Sequence, residues 1–334
     1  MRTVELQMNH NISILSKPPF PFTDPDNPKS RRSYYLDYLR KSILGNELSK
    51  SETGPDSVMV NLTSGLKLNN WNVKVNPSFF SVDRIVGVLS NVYALEWAIQ
   101  AKRQKRIDKL IAGPNLVVLP LDDNAILCSE QIDIVITPSQ WVSNVYCSIA
   151  PQLKHKIREW PVGVDTNRWS PNVGMKRSKW IIYDKSINGG KEIVDQVESE
   201  LVHRGYEYQK INYGNYSPQE YKTTLSSAIA MVIVSASESQ GLAQFEAWAC
   251  DVPTLIWDRG FWVSRDNSIV WKGASSSPYF DESCGDKFIG KNDFSNNLDK
   301  FITHLNSFSP RNYILDNFTL EICAQKYITL FFDL

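Results

Sequence analysis

Nowhere in the 334 residues is there a run of about 18 apolar residues, the length a membrane-crossing helix needs. The opening Met1-Arg-Thr-Val-Glu-Leu-Gln7 also lacks the apolar stretch of a secretory signal, so the expectation is a soluble, cytoplasmic protein. Charge of either sign is not in excess: Lys plus Arg and Asp plus Glu both number 36. No overall field therefore draws the chain onto a polyanion, and non-specific nucleic-acid binding is set aside. Cysteine is scarce. The five (Cys128, Cys147, Cys250, Cys284 and Cys323) are odd in number, widely spread and mostly in apolar runs, which fits buried free thiols in a reducing compartment better than a disulfide framework. None shows the close pairing of a zinc site. The four histidines, His10, His155, His203 and His304, sit in contexts that fit surface residues. No internal repeat of fixed period is present.

The length suits two domains. Near the start, Lys17 to Pro28 is too rich in proline for a regular helix or central strand and reads as a long loop. Tyr34 to Leu44 has helical spacing, and Asn46 to Asp56 reads as a surface connection. From position 58 short β-rich runs alternate with amphipathic stretches. Strands are expected at Val58–Leu62, Ile85–Leu89, Leu116–Leu119 and Ile132–Thr137, with helices near Val92–Ile111 and Ser139–Ile149. Trp160 to Asp165 and the polar Thr166 to Lys179 break the pattern as an interdomain link. A second series follows: strands at Trp180–Tyr183, Glu207–Ile211, Met231–Val234 and Thr254–Trp257, and a helix at Glu192–His203. Ser217-Pro-Gln-Glu220 carries the signals of a capped helix start, with the helix running through Ile229. The alternation predicts α/β architecture with open, mostly parallel sheets.

Between two apolar strands lies Ser235-Ala-Ser-Glu-Ser-Gln-Gly-Leu-Ala-Gln-Phe-Glu-Ala-Trp-Ala-Cys-Asp-Val-Pro253, with room for one short helix: a βαβ unit. The helix should start near Gly241, its unpaired N–H groups pointing beyond the carboxyl end of the preceding strand, where anions bind and where parallel sheets take their ligands. Glu238 and Gly241 then stand at the ligand edge. Glu246, in the first turns, could accept two hydroxyl hydrogen bonds from a ribose diol. Taken alone, both glutamates also fit ordinary helix-start and turn chemistry.

These residues resemble glycosyltransferase family 4 and its GT-B relatives, whose pattern is similar to Ser237, Glu238, Gly241, Leu242, Glu246, Ala247, Ala249 and Pro253 of this chain. Pro161 to Pro171, with its Gly-Val-Asp, looks like that family's interdomain element. Glu220-Tyr221 with Leu225, leading into Met231–Ser235, and Phe318 to Tyr327, similar to its closing helix, agree in order. The chain departs from the pattern in several places: Asp251 stands where Gly is usual, Lys185 stands where an arginine is usual, the paired-glycine loop near the N-terminus is not visible, prolines occupying that region, and none of the four histidines matches the one many relatives carry near the donor sugar.

The resemblance implies a GT-B fold: two Rossmann-like α/β domains facing across a cleft, at 1–165 (acceptor side) and 166–311 (nucleotide-sugar side), with 312–334 a helix packing back on the first. It implies sugar transfer from a nucleoside-diphosphate sugar to the hydroxyl of a glycan, lipid or small-molecule acceptor, with retention and without metal or other cofactor. Glu238 and Lys191 would carry the chemistry. Lys185, Lys191, the turn Ser239-Gln240-Gly241-Leu242, Glu246 and Tyr216 would hold the donor: the cations and the Gly241 and Leu242 amides at the diphosphate, Glu246 at the ribose, Tyr216 near the base. Two rivals stay open. One is a catalytically silent GT-B-like protein that binds a nucleotide sugar or glycan, and the other a metal-dependent GT-A transferase using Asp122 and Asp123, a pair that equally suits a helix cap. The basic run Lys102-Arg-Gln-Lys-Arg106 with Lys109 fits a solvated helix face, with contact to an anionic membrane as the alternative.

Overall fold

The computed structural model describes residues 11–19 and 54–332. The first half builds a six-stranded sheet in the order β2-β1-β3-β4-β5-β6, every pair parallel. Its strands are β1 (Asn11–Leu15), β2 (Asn72–Val75), β3 (Ile85–Val88), β4 (Lys109–Ala112), β5 (Ile134–Thr137) and β6 (Ile157–Glu159). Helices α1 (Gly54–Leu68), α2 (Val92–Arg103) and α3 (Gln140–Ile149) supply the crossovers. Parallel neighbours need such crossovers, and their helices cover both sheet faces, giving two apolar layers on either side.

Several expectations change here. Val58–Leu62 is not a strand but part of α1, because Val58, Leu62 and Leu66 recur every four residues and form one buried helical stripe. The helix near Val92 stops at Arg103, where Gln104 caps it and Lys105 turns left-handed, so Lys109 to Ala112 becomes central strand β4. Leu116–Leu119 pairs with nothing and is loop, following a cis Gly113–Pro114 bond. Strands β2 and β6 were not foreseen: β2 is an edge strand with no fully buried residue, and β6 has only three residues. The proposed helix at Tyr34 to Leu44 and most of the loop at Lys17 to Pro28 lie outside the described residues, as does Asn46 to Thr53; Gly54 to Asp56 belongs to α1.

Irregular chain from Trp160 to Ser178 leads to a second parallel sheet, ordered β13-β10-β9-β7-β8. It comprises β7 (Lys179–Lys185), β8 (Tyr208–Asn212), β9 (Ala228–Ser235), β10 (Thr254–Trp257) and β13 (Gly285–Phe288), with helices α4 (Lys191–His203), α5 (Pro218–Ser226), α6 (Leu242–Ala249), α7 (Lys291–Thr303) and α8 (Pro310–Asn317). Ser217 and Glu220 form the expected reciprocal cap, with Pro218 opening α5. That helix ends at Ser226, three residues before Ile229, because Ala228 enters the sheet beside Lys179. A short antiparallel hairpin, β11 (Phe261–Val263) and β12 (Val270–Lys272), is inserted after β10.

The chain then returns. Helix α9 (Leu320–Phe332) lies against α1 and buries Ala324, Tyr327, Ile328 and Phe331 in the first half's core. The crossing is close: a Cβ on Gly65 would stand 2.3 Å from the Leu320 carbonyl oxygen, so only glycine fits there. The Trp160 indole donates to the Cys323 carbonyl at 2.8 Å, fixing the other side of α9. All five cysteines are free thiols, with burial pushing Cys250, Cys284 and Cys323 up to about 12.

Candidate functional site

The carboxyl edges of the two sheets meet. Beyond β5, Trp141 in the first turn of α3 donates its indole N–H to the Glu238 carbonyl, which lies beyond β9, at 2.8 Å. The Tyr279 hydroxyl, from the second half, donates to the Pro138 carbonyl of the first, also at 2.8 Å. Trp141 further packs against Trp262 of the hairpin, ring centroids 6.1 Å apart. Ligands of open parallel sheets sit at such edges.

Glu238 is brought directly against Lys185. The ammonium donates to both carboxylate oxygens at 2.8 Å, and Ser235 Oγ adds a third hydrogen bond at 2.8 Å. The two side chains are only 21% and 13% exposed, so the pair is partly withdrawn from water. Burial pulls the lysine's pKa down, but the charge and hydrogen bonds of Glu238 outweigh it, with help from Tyr213, and hold it above its ordinary value. The ammonium also lies 4.3 Å from the Tyr213 ring centre.

The turn Ser239-Gln240-Gly241 leads into α6. Gly241 takes φ 91°, a left-handed conformation suited to glycine, and no side chain caps the helix it opens. Ser239 is exposed. Gln240 is 5% exposed, and its amide is bound at both ends to Val162: Oε1 accepts from the N–H at 3.1 Å and Nε2 donates to the carbonyl at 2.8 Å. Its side chain therefore ties the turn to the irregular connection between the sheets. Glu246 begins the second turn, half-buried, close enough to raise the pKa values of Tyr216, Tyr221 and Cys250, each already raised chiefly by burial. Tyr216 hydrogen-bonds Tyr183 at 3.0 Å between hydroxyl oxygens and packs on Tyr221.

Lys191 heads α4 after Gly189-Gly190, both at φ 104°. Its side chain is 82% exposed and pairs with Asp195 at 3.0 Å, away from the Lys185 pair in its contacts. A cation that sequence patterns did not suggest lies at the same edge. Arg259, just past β10, donates from Nε to the Ala236 carbonyl at 3.0 Å and the Phe261 carbonyl at 3.1 Å. One terminal nitrogen lies 3.7 Å from where a Cβ of Gly189 would stand, and no carboxylate partners the guanidinium among the described residues. Burial without that partner lowers its pKa. Its signal in the sequence was position alone: a basic residue directly after a core strand that follows the glutamate-bearing helix.

Asp122 and Asp123 do not form an acidic pair beyond a strand. The Asp122 carboxylate accepts from the Leu119 N–H at 2.8 Å, and Asp123 opens a short turn in a left-handed conformation, φ 51°. The basic run is largely spent inside the fold. Lys102 pairs with Asp133, Arg106 lies 3.7 Å over the Phe79 ring centre, and Lys109 donates to the Phe331 carbonyl; Arg103 and Lys105 remain exposed. No helix among the described residues is long and apolar enough to cross a membrane.

No protein-family model and no curated protein sequence matches the chain. Solved structures do. The chain is similar to the catalytic domain of starch synthase IV from Arabidopsis thaliana at 9% identity, covering 97% of this chain and 98% of that one, TM-score 0.60. A glycosyltransferase from Rickettsia africae matches at 11% identity over 97% and 98%, TM-score 0.57. The lipopolysaccharide outer core galactosyltransferase WaaB, in apo form, matches at 12% over 97% and 99%, TM-score 0.52. At such identities the likeness establishes the fold: GT-B, over nearly the whole chain. That fold sets aside the GT-A alternative.

Proposed function

We propose that this protein is a glycosyltransferase that moves a sugar from a nucleoside-diphosphate sugar to an acceptor hydroxyl, with the donor held by the second sheet. The observation that carries the reading is the Lys185–Glu238 pair at the meeting of the two sheet edges, beside a helix start left uncapped by any side chain. An anion, a polyol and a second substrate from the other half can converge there.

In this reading the diphosphate lies against the Gly241 and Leu242 amides and takes Lys185 as a counter-charge, joined by Arg259 and by Lys191 swung in from its exposed position. Cations and oriented N–H groups stabilise the charge that develops on the leaving diphosphate. Glu246 accepts from the ribose diol, and Tyr216 stands near the base. Glu238, relieved of Lys185, orients the sugar hydroxyls and offsets positive charge building on the ring. Donors with a diphosphate leaving group need no metal when protein cations do this work, and family resemblance favours retention of anomeric configuration.

The test is a panel of UDP-, GDP-, ADP- and dTDP-sugars with the pure protein, reading thermal shift and nucleoside diphosphate release with and without EDTA. Release from one donor, indifferent to EDTA and lost in Glu238→Ala, is the expected result. Stabilisation by a donor with no release under any condition would identify a binding protein instead.

A further inference from the structure

Between the sheet edges lies a cavity of about 500 Å³, within the range that takes a drug-sized ligand. The first half supplies most of its wall: Ala112 and Ile136 from strand ends, Leu116 from the loop after the cis-proline, and Trp141, Val142 and Val145 from α3. The second half closes it with Ser239, Trp262 and Arg265. Ser239 adjoins Glu238, and the lining Trp141 indole is bonded to the Glu238 carbonyl, so one end of the cavity borders the proposed transfer centre.

The chemistry of this wall is one-sided. A sugar brings several hydroxyls, and each one buried without a partner costs about 1–3 kcal/mol. Among the described residues the side chains of this wall are mainly aliphatic and aromatic and offer few groups to bond them. Of the polar groups lining it, the Tyr146 hydroxyl is already given to the Val117 carbonyl at 2.8 Å, and the Trp141 N–H is likewise spent. Among the side chains of the described residues that leaves Asn115, Ser239 and Arg265, all exposed. Arg265, on the exposed turn of the hairpin, has no carboxylate partner among the described residues.

We infer that the cavity receives the acceptor, and that the acceptor is a small apolar alcohol carrying an anionic group, not a neutral sugar. The apolar body fills the space against Val142 and Val145, the anion meets Arg265, and the hydroxyl points past Ser239 toward Glu238. This rests on the transferase reading for the word acceptor, but the pocket's preference stands on its lining alone. In the transfer, the acceptor oxygen forms a bond to the anomeric carbon as the bond from that carbon to the diphosphate oxygen breaks. The diphosphate leaves with that electron pair and takes up the hydroxyl proton.

Two measurements test it. The first is binding of 1-anilinonaphthalene-8-sulfonate, an apolar anion, and of the neutral N-phenyl-1-naphthylamine to the full chain, read by dye emission and quenching of tryptophan. Arg265→Gln, at an exposed site that does not threaten folding, should weaken the anionic dye about five- to tenfold and leave the neutral one alone. Val142→Phe, which occupies the cavity, should weaken both. Equal affinity of the anionic dye for parent and Arg265→Gln overturns the anion assignment, and equal affinity of both dyes for parent and Val142→Phe overturns the cavity. The second measurement offers aryl and alkyl alcohols bearing a carboxylate or a phosphate beside glucose and maltose as acceptors with a donor the protein cleaves. Transfer to either anionic class, the two arms naming which, supports the inference. Transfer to the sugars alone overturns it while leaving the transferase reading intact. Dye results as expected with no donor cleaved uphold the pocket and defeat the transferase reading.

Discussion

Lys185 spends two hydrogen bonds of one ammonium on the two oxygens of Glu238, 2.8 Å each, so the groups assigned to the diphosphate and to the sugar neutralise one another in the free protein. Donor binding then has to exchange partners: the diphosphate replaces Glu238 at the lysine, and sugar hydroxyls replace the lysine at Glu238. An exchange of this kind keeps either charge from standing unpaired in a partly dry site.

Lys185→Met should therefore destabilise the protein by about 1–3 kcal/mol, since Glu238 loses its counter-ion while keeping only the Ser235 hydroxyl. Adding Glu238→Gln to it should recover part of the loss, because the stranded charge is gone. Urea unfolding of parent, single and double variants measures both. A double variant no more stable than Lys185→Met would show that the pair does not govern stability there.

The same pair sets a pH dependence. The pKa of folded Lys185 is raised above its ordinary 10.5, burial opposing and Glu238 prevailing. A raised lysine contributes stability that is complete below the unfolded value and is lost as pH climbs through the folded one. The melting-temperature gap between parent and Lys185→Met should thus stay constant from about pH 7 to 9 and narrow above about pH 10.5. A gap that stays unchanged as pH rises well above 10.5 would contradict the assignment.

Much of this site was legible in the sequence because its parts are consecutive. Strand, turn, helix and strand from Met231 to Trp257 carry their periodicity and their glycine in one window, and the structure puts Glu238, Gly241 and Glu246 at the edge and helix expected of a βαβ unit. Other elements were hidden by competing signals. Val58, Val60 and Leu62 look like a strand until Leu66 reveals the four-residue spacing, and Lys109 to Ala112 is too short to announce itself after a helical stretch. The partner of Lys185 could not be read at all, since Lys185 and Glu238 are 53 residues apart and meet only because β7 and β9 are neighbours. The cavity is more remote still, assembled from Leu116, Val142 and Trp262 with no local pattern in common.

Arg259 belongs to that second class, and it yields a sharp expectation. With its Nε fixed by two carbonyls and one terminal nitrogen beside the Gly189 turn, it is oriented before any ligand arrives. Arg259→Gln should weaken a nucleoside diphosphate about tenfold, the worth of one charge-assisted contact, and leave the bare nucleoside unchanged. Titration calorimetry with both ligands decides it. Equal loss for the nucleoside would mean the residue shapes the pocket without meeting phosphate.

Gln240 links the site to the connection between the two halves. Its amide grips both backbone groups of Val162 in the way one strand residue grips another, with the side chain almost wholly buried. Breaking this clamp with Gln240→Leu leaves the Val162 N–H and carbonyl without those partners, so a cost of about 1–3 kcal/mol is expected from that variant. The neighbouring Gly241→Ala costs a similar amount for a different reason: φ 91° is strained for alanine, and its Cβ would come within 2.9 Å of the Gln244 side chain. The two variants part in what they do to the cleft. Gln240→Leu should raise hydrogen exchange along residues 160–165 as well as at the turn, because it unfastens the link between the sheets. Gly241→Ala should raise it only at the turn and the start of α6. Exchange confined to the turn in both variants would show that Val162 is held by the surrounding packing, and that Gln240 does not couple the donor turn to the other half.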